Sequence, residues 1–355
     1  MTKVKISPIE VKKFFGRMLA FVIIGAAIIA TTILVAEFGP RDRIYSDDAF
    51  DAFPANYIPP EFNATRHNVL LDQHSHTVWS DGVLTPEQNI IWHIKHGFNA
   101  AVITDHNNIQ GAQEAQRIAR EKYDSVFKVI IGEEWTTGRI HMNFIGLTSA
   151  ILPGLTNTDA DIKAAIDAAH NQGALVTVNH IPWSLRQGMD HPSRNQLAAW
   201  GVDFIEMVNE NEYDNASEPY ILNNTFGAIT GTDMHSPATV HGWTALWVPQ
   251  FTEAAILAQL AIRNTTIVYN QTGSLDYTKP PSDNPAFLIL KPVIMFGNLF
   301  EDIATDSTLT LVLGLSYLFG AFFVAEALRI VKRRYWEVVN AKKAEKSRKE
   351  SKTTA

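Results

Sequence analysis

The chain has 355 residues, 46% of them hydrophobic and 19% charged, with 30 Lys and Arg against 37 Asp and Glu for a formal net charge of −7. Its lack of cysteine excludes disulfide scaffolds, thiolate nucleophiles and Cys-ligated zinc, without fixing a redox compartment. The central region has no basic stripe with interleaved aromatics, which argues against a nucleic-acid partner.

Residues 1–17 carry Lys3, Lys5, Lys12, Lys13 and Arg17 and form a basic segment. From Met18 the chain runs uncharged and apolar to Ala36. At about 1.5 Å per residue this nearly spans a hydrocarbon core of about 30 Å, so the sequence predicts a transmembrane helix over 18–37. A buried helix and a cleaved signal peptide are the alternatives. The signal is disfavoured by the length of the run and by Leu34-Val35-Ala36, which lacks a small-x-small cleavage pattern. Residues 38–65 are rich in Pro, Asp and aromatics (Phe38-Gly39-Pro40, Phe53-Pro54, Ile58-Pro59-Pro60) and predict an extended tether.

The region 66–275 alternates strand-like and helical stretches. The strand candidates are 69–72, 100–104, 129–132, 141–147, 175–179, 204–208, 228–232 and 245–248. Helical periodicity covers 85–96, 110–121, 158–172, 195–200 and 252–263. About seven βα repeats favour a parallel α/β barrel over an open sheet. The absence of a glycine-rich loop after the first strand argues against a dinucleotide fold. Residues 276–307 predict a linker with an apolar segment, Phe287–Phe300, that is broken by Lys291-Pro292 and too short to span, hence interfacial. A second transmembrane helix is expected over 308–331, where Glu326 is costly unless it lies at the interface. Residues 332–355 form a basic tail. Basic flanks outside both spans place both termini in the cytoplasm and the central domain on the other side. The five Asn-x-Ser/Thr sequons, at Asn63, Asn215, Asn223, Asn264 and Asn270, all fall between the spans.

The chemistry gathers at strand ends. Val69-Leu70-Leu71-Asp72 leads into Gln73-His74-Ser75-His76, whose two histidines share one face by their spacing, and the turn Ser80-Asp81-Gly82 adds a carboxylate. Ala101–Thr104 ends in Asp105-His106, and Val129–Gly132 ends in Glu133-Glu134. His141 opens a strand, Leu175–Asn179 ends in His180, and Ala228–Thr232 ends in Asp233-Met234-His235. In a parallel barrel such positions converge on one mouth. Six of the 12 histidines lie there. His67, His93, His96, His170, His191 and His241 are expected to be structural or solvated. Glu206 and Asn209 are expected to serve the barrel or the pocket wall. Asp105 is a candidate to orient a ligand histidine or relay a proton, and Arg139 and Arg186 are candidates to clamp a phosphate.

This succession resembles the polymerase-and-histidinol-phosphatase (PHP) family, and Gly-Glu-Glu followed by a strand-opening histidine is most similar to its carbaryl-hydrolase-type branch. The resemblance implies a distorted (β/α)7 TIM-like barrel, here between two transmembrane helices, with up to three divalent metals. It implies that His74, His76, Glu134 and Asp233 hold one metal. Glu134 then bridges to a second held by His141 and His180, with Glu133 as the competing bridge. Asp81, His106 and His235 hold a third. Some family members carry a histidine near the position of Asp81, so two metals remain open beside three. The imidazole and carboxylate set suits zinc, manganese or iron. The function implied is a membrane-anchored hydrolase, acting on a small-molecule phosphoester through a metal-activated hydroxide. Hydrolysis of a carboxylic or carbamic ester and a non-catalytic ligand-binding ectodomain are the alternatives.

Overall fold

In the computed structural model of the chain, residues 8–54, 57–59, 62–154, 156–305 and 308–353 are described. Lys3 and Lys5 of the basic segment and Pro60 of the tether lie outside them. The described residues belong to two compact units, one within 1–31 and 308–355, the other within 32–307.

In the second unit most strands are short apolar runs buried on both faces, a pattern that requires cover on each side, while the edge strand Thr266–Tyr269 is partly exposed. They are β1 (Val69–Asp72), β2 (Ala100–Ile103), β3 (Lys128–Thr136), β4 (His141–Ile145), β5 (Leu175–Val178), β6 (Phe204–Asn209), β7 (Gly227–Gly231), β8 (Gly242–Leu246) and β9 (Thr266–Tyr269). With the two-residue strand Glu212–Tyr213 they form one ten-stranded sheet among the described residues. β1, β2 and β3 run parallel, as do β5, β6 and β7. The sheet curls, so that the chain beyond β1 meets the chain beyond β7 at a parallel bridge between Ser75 and Met234. β8 lies antiparallel to β1, and β9 antiparallel to β8.

The uniformly parallel barrel expected from the alternation is therefore corrected at β4, which is antiparallel to both β3 and β5. Only residues 137–140 separate it from β3. That is a hairpin turn, far too short for the crossover that a parallel connection needs.

Among the helices, α1 is Pro8–Phe38, α2 Pro86–Lys95, α3 Gln110–Ile118, α4 Asp159–Asn171, α5 Ile181–Arg186, α6 Arg194–Trp200, α7 Glu218–Leu222 and α8 Glu253–Ala261. Thr85, Thr158 and Ser193 each close a capping box, which fixes where α2, α4 and α6 begin. The apolar faces of α2 and α3 meet β2 and β3 in one core cluster, and those of α4 and α6 meet β4 and β5 in another.

The segment expected to be an extended tether instead joins the core. Ala49, Phe50 and Phe53 are buried, and Tyr45, Tyr57 and Phe62 pack against the same cluster. Prolines keep this stretch irregular while its aromatics supply the area to bury. The linker is also more ordered than expected, because α9 (Pro285–Thr305) continues through Pro292. A Cβ on Gly297 would overlap the Thr32 carbonyl and crowd Ala36, so this glycine permits close approach of α9 to the end of α1.

In the first unit α1 lies beside α10 (Thr308–Thr353). Phe14 meets Phe322 at 5.8 Å and Phe21 meets it at 5.0 Å between ring centroids. Glu326, isolated in the sequence, is held by Arg17 through two bonds of 2.6 and 2.8 Å and by Arg329 at 3.0 Å. Arg333 pairs with Glu10 at 2.9 Å, so the two helices run antiparallel. Both α1 and residues 309–344 are long and apolar enough to cross a membrane.

His96 shows how the aromatic segment is locked to the barrel. Its Nδ1 lies 2.8 Å from Ser274 Oγ, and its ring sits 4.9 Å from Phe53 and 4.5 Å from Trp92. Burial, with a smaller contribution from His93, pushes its pKa from 6.5 down to about 3. The unfolded chain therefore binds more protons between these values. Stability present above pH 6.5 should fall as the pH drops, by up to about 1.4 kcal/mol per pH unit from this group. Thermal midpoints of the full chain and of H96N, measured from neutral to acid pH, should show the flatter profile for H96N. Parallel profiles would remove His96 as the acid-sensitive lock.

Candidate metal centre

Beyond β1 the backbone stays extended, and His74 and His76 turn their imidazoles to one side, both fully buried. β3 alternates, so Glu134 points to the same place while Glu133 points away and accepts the Ile151 N–H at 2.8 Å. Burial pushes Glu133 up to about 8. Glu134, and not Glu133, is thus the carboxylate that reaches the histidines.

Glu134 divides its two oxygens. Oε2 lies 3.4 Å from the Nε2 atoms of both His74 and His76 and 3.0 Å from His106 Nδ1. Oε1 lies 3.2 Å from His141 Nδ1 and 3.3 Å from His180 Nε2. Asp233 Oδ1 stands 3.2 Å from the Nε2 atoms of His74 and His76. Nearer the surface, Asp81 Oδ2 lies 3.2 Å from His235 Nε2 and 3.5 Å from His106 Nε2. Four sets of side chains could hold a divalent ion: His76, Asp81, His106 and His235; His74, His76 and Glu134; His74, His180 and Asp233; and Glu134, His141 and His180. The structure therefore brings together all nine residues expected to ligate metal.

The donor set fits metal ions. The Nε2 atoms of His74 and His76 are buried without a hydrogen-bond partner, although oxygens stand around them. Donors about 2.0–2.1 Å from a tetrahedral ion are roughly 3.3 Å apart, which matches the separations across these sets. His74 Nδ1 donates to Glu206 Oε1 at 2.9 Å, which leaves its Nε2 lone pair free to ligate.

The charges balance locally. Burial opposes ionisation of Glu134 and Asp233, yet the surrounding histidines hold both well below the usual carboxylate range. Burial likewise opposes protonation of His74, but Asp233, Glu134 and Glu206 raise it well above 6.5. His76 is pushed down to about 4 by burial and by its neighbours His235 and His106. His235, against the cost of burial, is raised to about 9 by Asp81.

A second layer holds these groups. The buried Glu206 takes bonds from Gln73 Nε2 and the His180 N–H, each at 2.8 Å, as well as from His74. Its signal in the sequence is a lone acid inside the apolar run Phe204–Val208. Asp72 accepts from His93 at 2.9 Å and from the Thr232 hydroxyl at 2.5 Å, so His93 is a structural histidine. Asp105 accepts from the Thr77 N–H at 2.7 Å and from the hydroxyls of Thr77 and Ser80 at 2.8 Å each. It bonds the loop between His76 and Asp81. Gly231 and Gly111 leave room for these carboxylates, since a Cβ would overlap Glu206 Oε1 at one and Asp105 Oδ2 at the other.

The two arginines expected to clamp phosphate are turned elsewhere. Arg139 binds the Asp190 carbonyl at 2.9 Å, the Asn157 carbonyl at 2.7 Å and Asp159 at 2.9 Å. Arg186 is exposed and paired with Glu212. Closeness in sequence to a ligand did not bring either guanidinium to the cluster: Arg139, in the turn between β3 and β4, reaches Asn157, Asp159 and Asp190, and Arg186, at the end of α5, reaches Glu212. Arg41, from the stretch expected to be a tether, instead shares a cleft of about 520 Å³ with Asp81 and His106.

Residues 72–215 match the PHP domain family. A solved two-domain protein from Bacteroides vulgatus ATCC 8482, containing a predicted PHP-like metal-dependent phosphoesterase, is 22% identical, with a TM-score of 0.50 over 60% of this chain and 69% of that one. That likeness shows a shared fold. A solved protein from Bifidobacterium adolescentis ATCC 15703, assigned as a metal-dependent phosphoesterase, is 16% identical, with a TM-score of 0.39 over 58% of this chain and 98% of that one. An amidohydrolase from Chromobacterium violaceum, solved with bound sulfate and no metal, is 16% identical, with a TM-score of 0.36 over 56% and 97%. No curated protein matches the sequence.

Replacing Glu206 by Gln keeps the shape but removes the charge that orients His74. Metal titrated into the metal-stripped full chain should bind E206Q roughly 10–100-fold more weakly, with the far-ultraviolet circular dichroism unchanged. Equal affinity would show that Glu206 supports only the sheet.

Proposed function

From the PHP domain carried by residues 72–215, we propose that the protein is a membrane-anchored, metal-dependent hydrolase of phosphoric esters. The observation that carries this is the spacing of donors around two buried, unpartnered Nε2 atoms. In this reading His74, His76, Glu134 and Asp233 hold one divalent ion. Glu134, His141 and His180 would hold a second, and Asp81, His106 and His235 a third. Zinc, manganese and iron all suit this donor set. Ions bound there lower the pKa of water and polarise the oxygens of the ester.

The chain's own groups do the rest. Glu206 fixes the tautomer and aim of His74, and Asp105 fixes the loop that carries Asp81. Asp81 and His235 are the outermost of the set, with side chains 51% and 37% exposed, so an ester approaches from their side. The depth of His74, His76 and Glu134 would shield an ion held there from bulk water. The antiparallel pairing of α1 and α10, with Arg17 on Glu326, supports a two-pass anchor with both termini on one side. The basic residues beyond each apolar run support a cytoplasmic side for them and an extracytoplasmic side for the hydrolase domain.

The test is turnover by the full chain, loaded with manganese, zinc or ferrous iron, on phosphate monoesters and diesters beside carboxylic and carbamic esters. Phosphate release should be lost with a chelator and restored by metal. The variant carrying both H74A and H76A should fall to near the uncatalysed rate. Turnover of carboxylic or carbamic esters alone would overturn the phosphoesterase assignment, and full turnover by the double variant would overturn the metal site.

A further inference from the structure

The cleft beside Asp81 and His106 has walls of two kinds. One is polar and belongs to the candidate metal centre. The other is built by the last turn of α1 and by α9, which contribute Phe287, Ile294 and Met295. At about 520 Å³ it falls in the size range of small-molecule sites, roughly 300–1,000 Å³.

Arg41 stands where the two walls meet. Its guanidinium donates to the carbonyls of Ala36 at 3.3 Å, of Val78 at 3.4 Å, and of Glu37. Its Nε is buried without a partner, and no carboxylate lies within ion-pair distance of it among the described residues. A half-buried cation bonded only to carbonyls is prepared for an anion, and a planar guanidinium suits phosphate oxygens.

The apolar wall opens onto more apolar surface. α9 exposes Leu288, Met295 and Leu299 at helical spacing, and near the end of α1 Leu34 and Phe38 are exposed as well. α1 is itself long and apolar enough to cross a bilayer. An apolar face on a helix beside such a span is suited to lie against lipid.

We propose that the cleft takes an amphiphile, a phosphate ester whose alcohol is a lipid. The head sits between Arg41 and the Asp81–His106 edge, and the chain lies along α9. The proposal rests on the phosphoesterase reading and adds the substrate class. In the reaction, water forms a new P–O bond as the P–O bond to the lipid alcohol breaks. The alcohol oxygen takes a proton and the alcohol stays with the bilayer, while phosphate leaves to water.

The experiment uses the metal-loaded full chain in detergent with butyl, octyl and hexadecyl phosphate, and with hexadecyl acetate as a carboxyl ester of the same chain. kcat/KM should climb with chain length, by roughly fourfold for each methylene buried. R41Q should lower it for all three phosphates by roughly tenfold or more. M295D should flatten the chain-length series, with metal content and thermal midpoint reporting that it is folded. A flat series in the wild-type protein, with all three phosphates hydrolysed, overturns the lipid assignment and leaves the phosphoesterase reading intact. A steep series that M295D leaves unchanged signifies partition into micelles and overturns it too. Hydrolysis of hexadecyl acetate alone, with no phosphate released from any ester, overturns the phosphoesterase reading itself.

Discussion

The rest of the structure depends on one constraint, the burial of Glu134 with both oxygens committed. A carboxylate in an apolar core normally escapes the cost of charge by taking a proton. Glu134 does not, because five imidazoles from four strand ends or starts surround it, and they hold it well below the ordinary range. Apart from His74 and His76, which share the stretch beyond β1, each imidazole must arrive from a different part of the sheet. The curl of the sheet is thus a requirement of this one side chain as much as a result of strand twist.

The antiparallel β4 is explained by the same constraint. In parallel strands, only carboxyl ends reach the mouth, which is where His74, His106, His180 and Asp233 are found. His141 stands at the amino end of its strand, where a parallel neighbour would carry it to the opposite rim. Because β4 reverses, His141 pairs with Thr136 across the ladder, at the same rim as Glu134. The backbone carries strain at this rim. His180, Asp233 and Asn107 take positive φ angles of 26°, 52° and 51°, conformations that cost of order 1–3 kcal/mol each and persist only where the surroundings fix them. Glu206 supplies part of that fixing, by accepting the His180 N–H while also holding His74.

The nine clustered residues were legible in the sequence because their signals are local: for most, an apolar run ending in a group that such a run does not otherwise carry, for His141 the start of a strand and for Asp81 the turn after the His74–His76 pair. The rhythm of helices and strands was legible for the same reason. The direction of β4 was not, since alternation records which elements occur and not how they pair, although the shortness of residues 137–140 held the clue. Residues 45–62 were misjudged because prolines and acids argue for an extended chain. Phe50 and Phe53 become core only once β2 and α2 present a surface for them. Arg139 and Arg186 lie near ligands along the chain and away from them in space. Arg41 lies far along the chain from His76 and yet beside its loop. For such residues distance along the sequence carries no information, and only the fold supplies it.

Arg41 also ties the end of α1 to the loop that carries Asp81. α1 ends at Phe38, where Gly39 admits a turn that a Cβ would block against the Val35 carbonyl and Pro40 cannot extend the helix. Arg41 then folds back onto the open carbonyls of Ala36 and Glu37, the position at a helix end where a cation is favoured. The same guanidinium reaches Val78, between His76 and Asp81. Gly297 brings α9 against the same turn of α1. The last turn of α1 is thus part of the wall of the cleft beside the candidate metal centre. A domain cut free after Gly39 would keep its clustered histidines and lose the helix carbonyls that aim Arg41, together with the surface on which α9 rests.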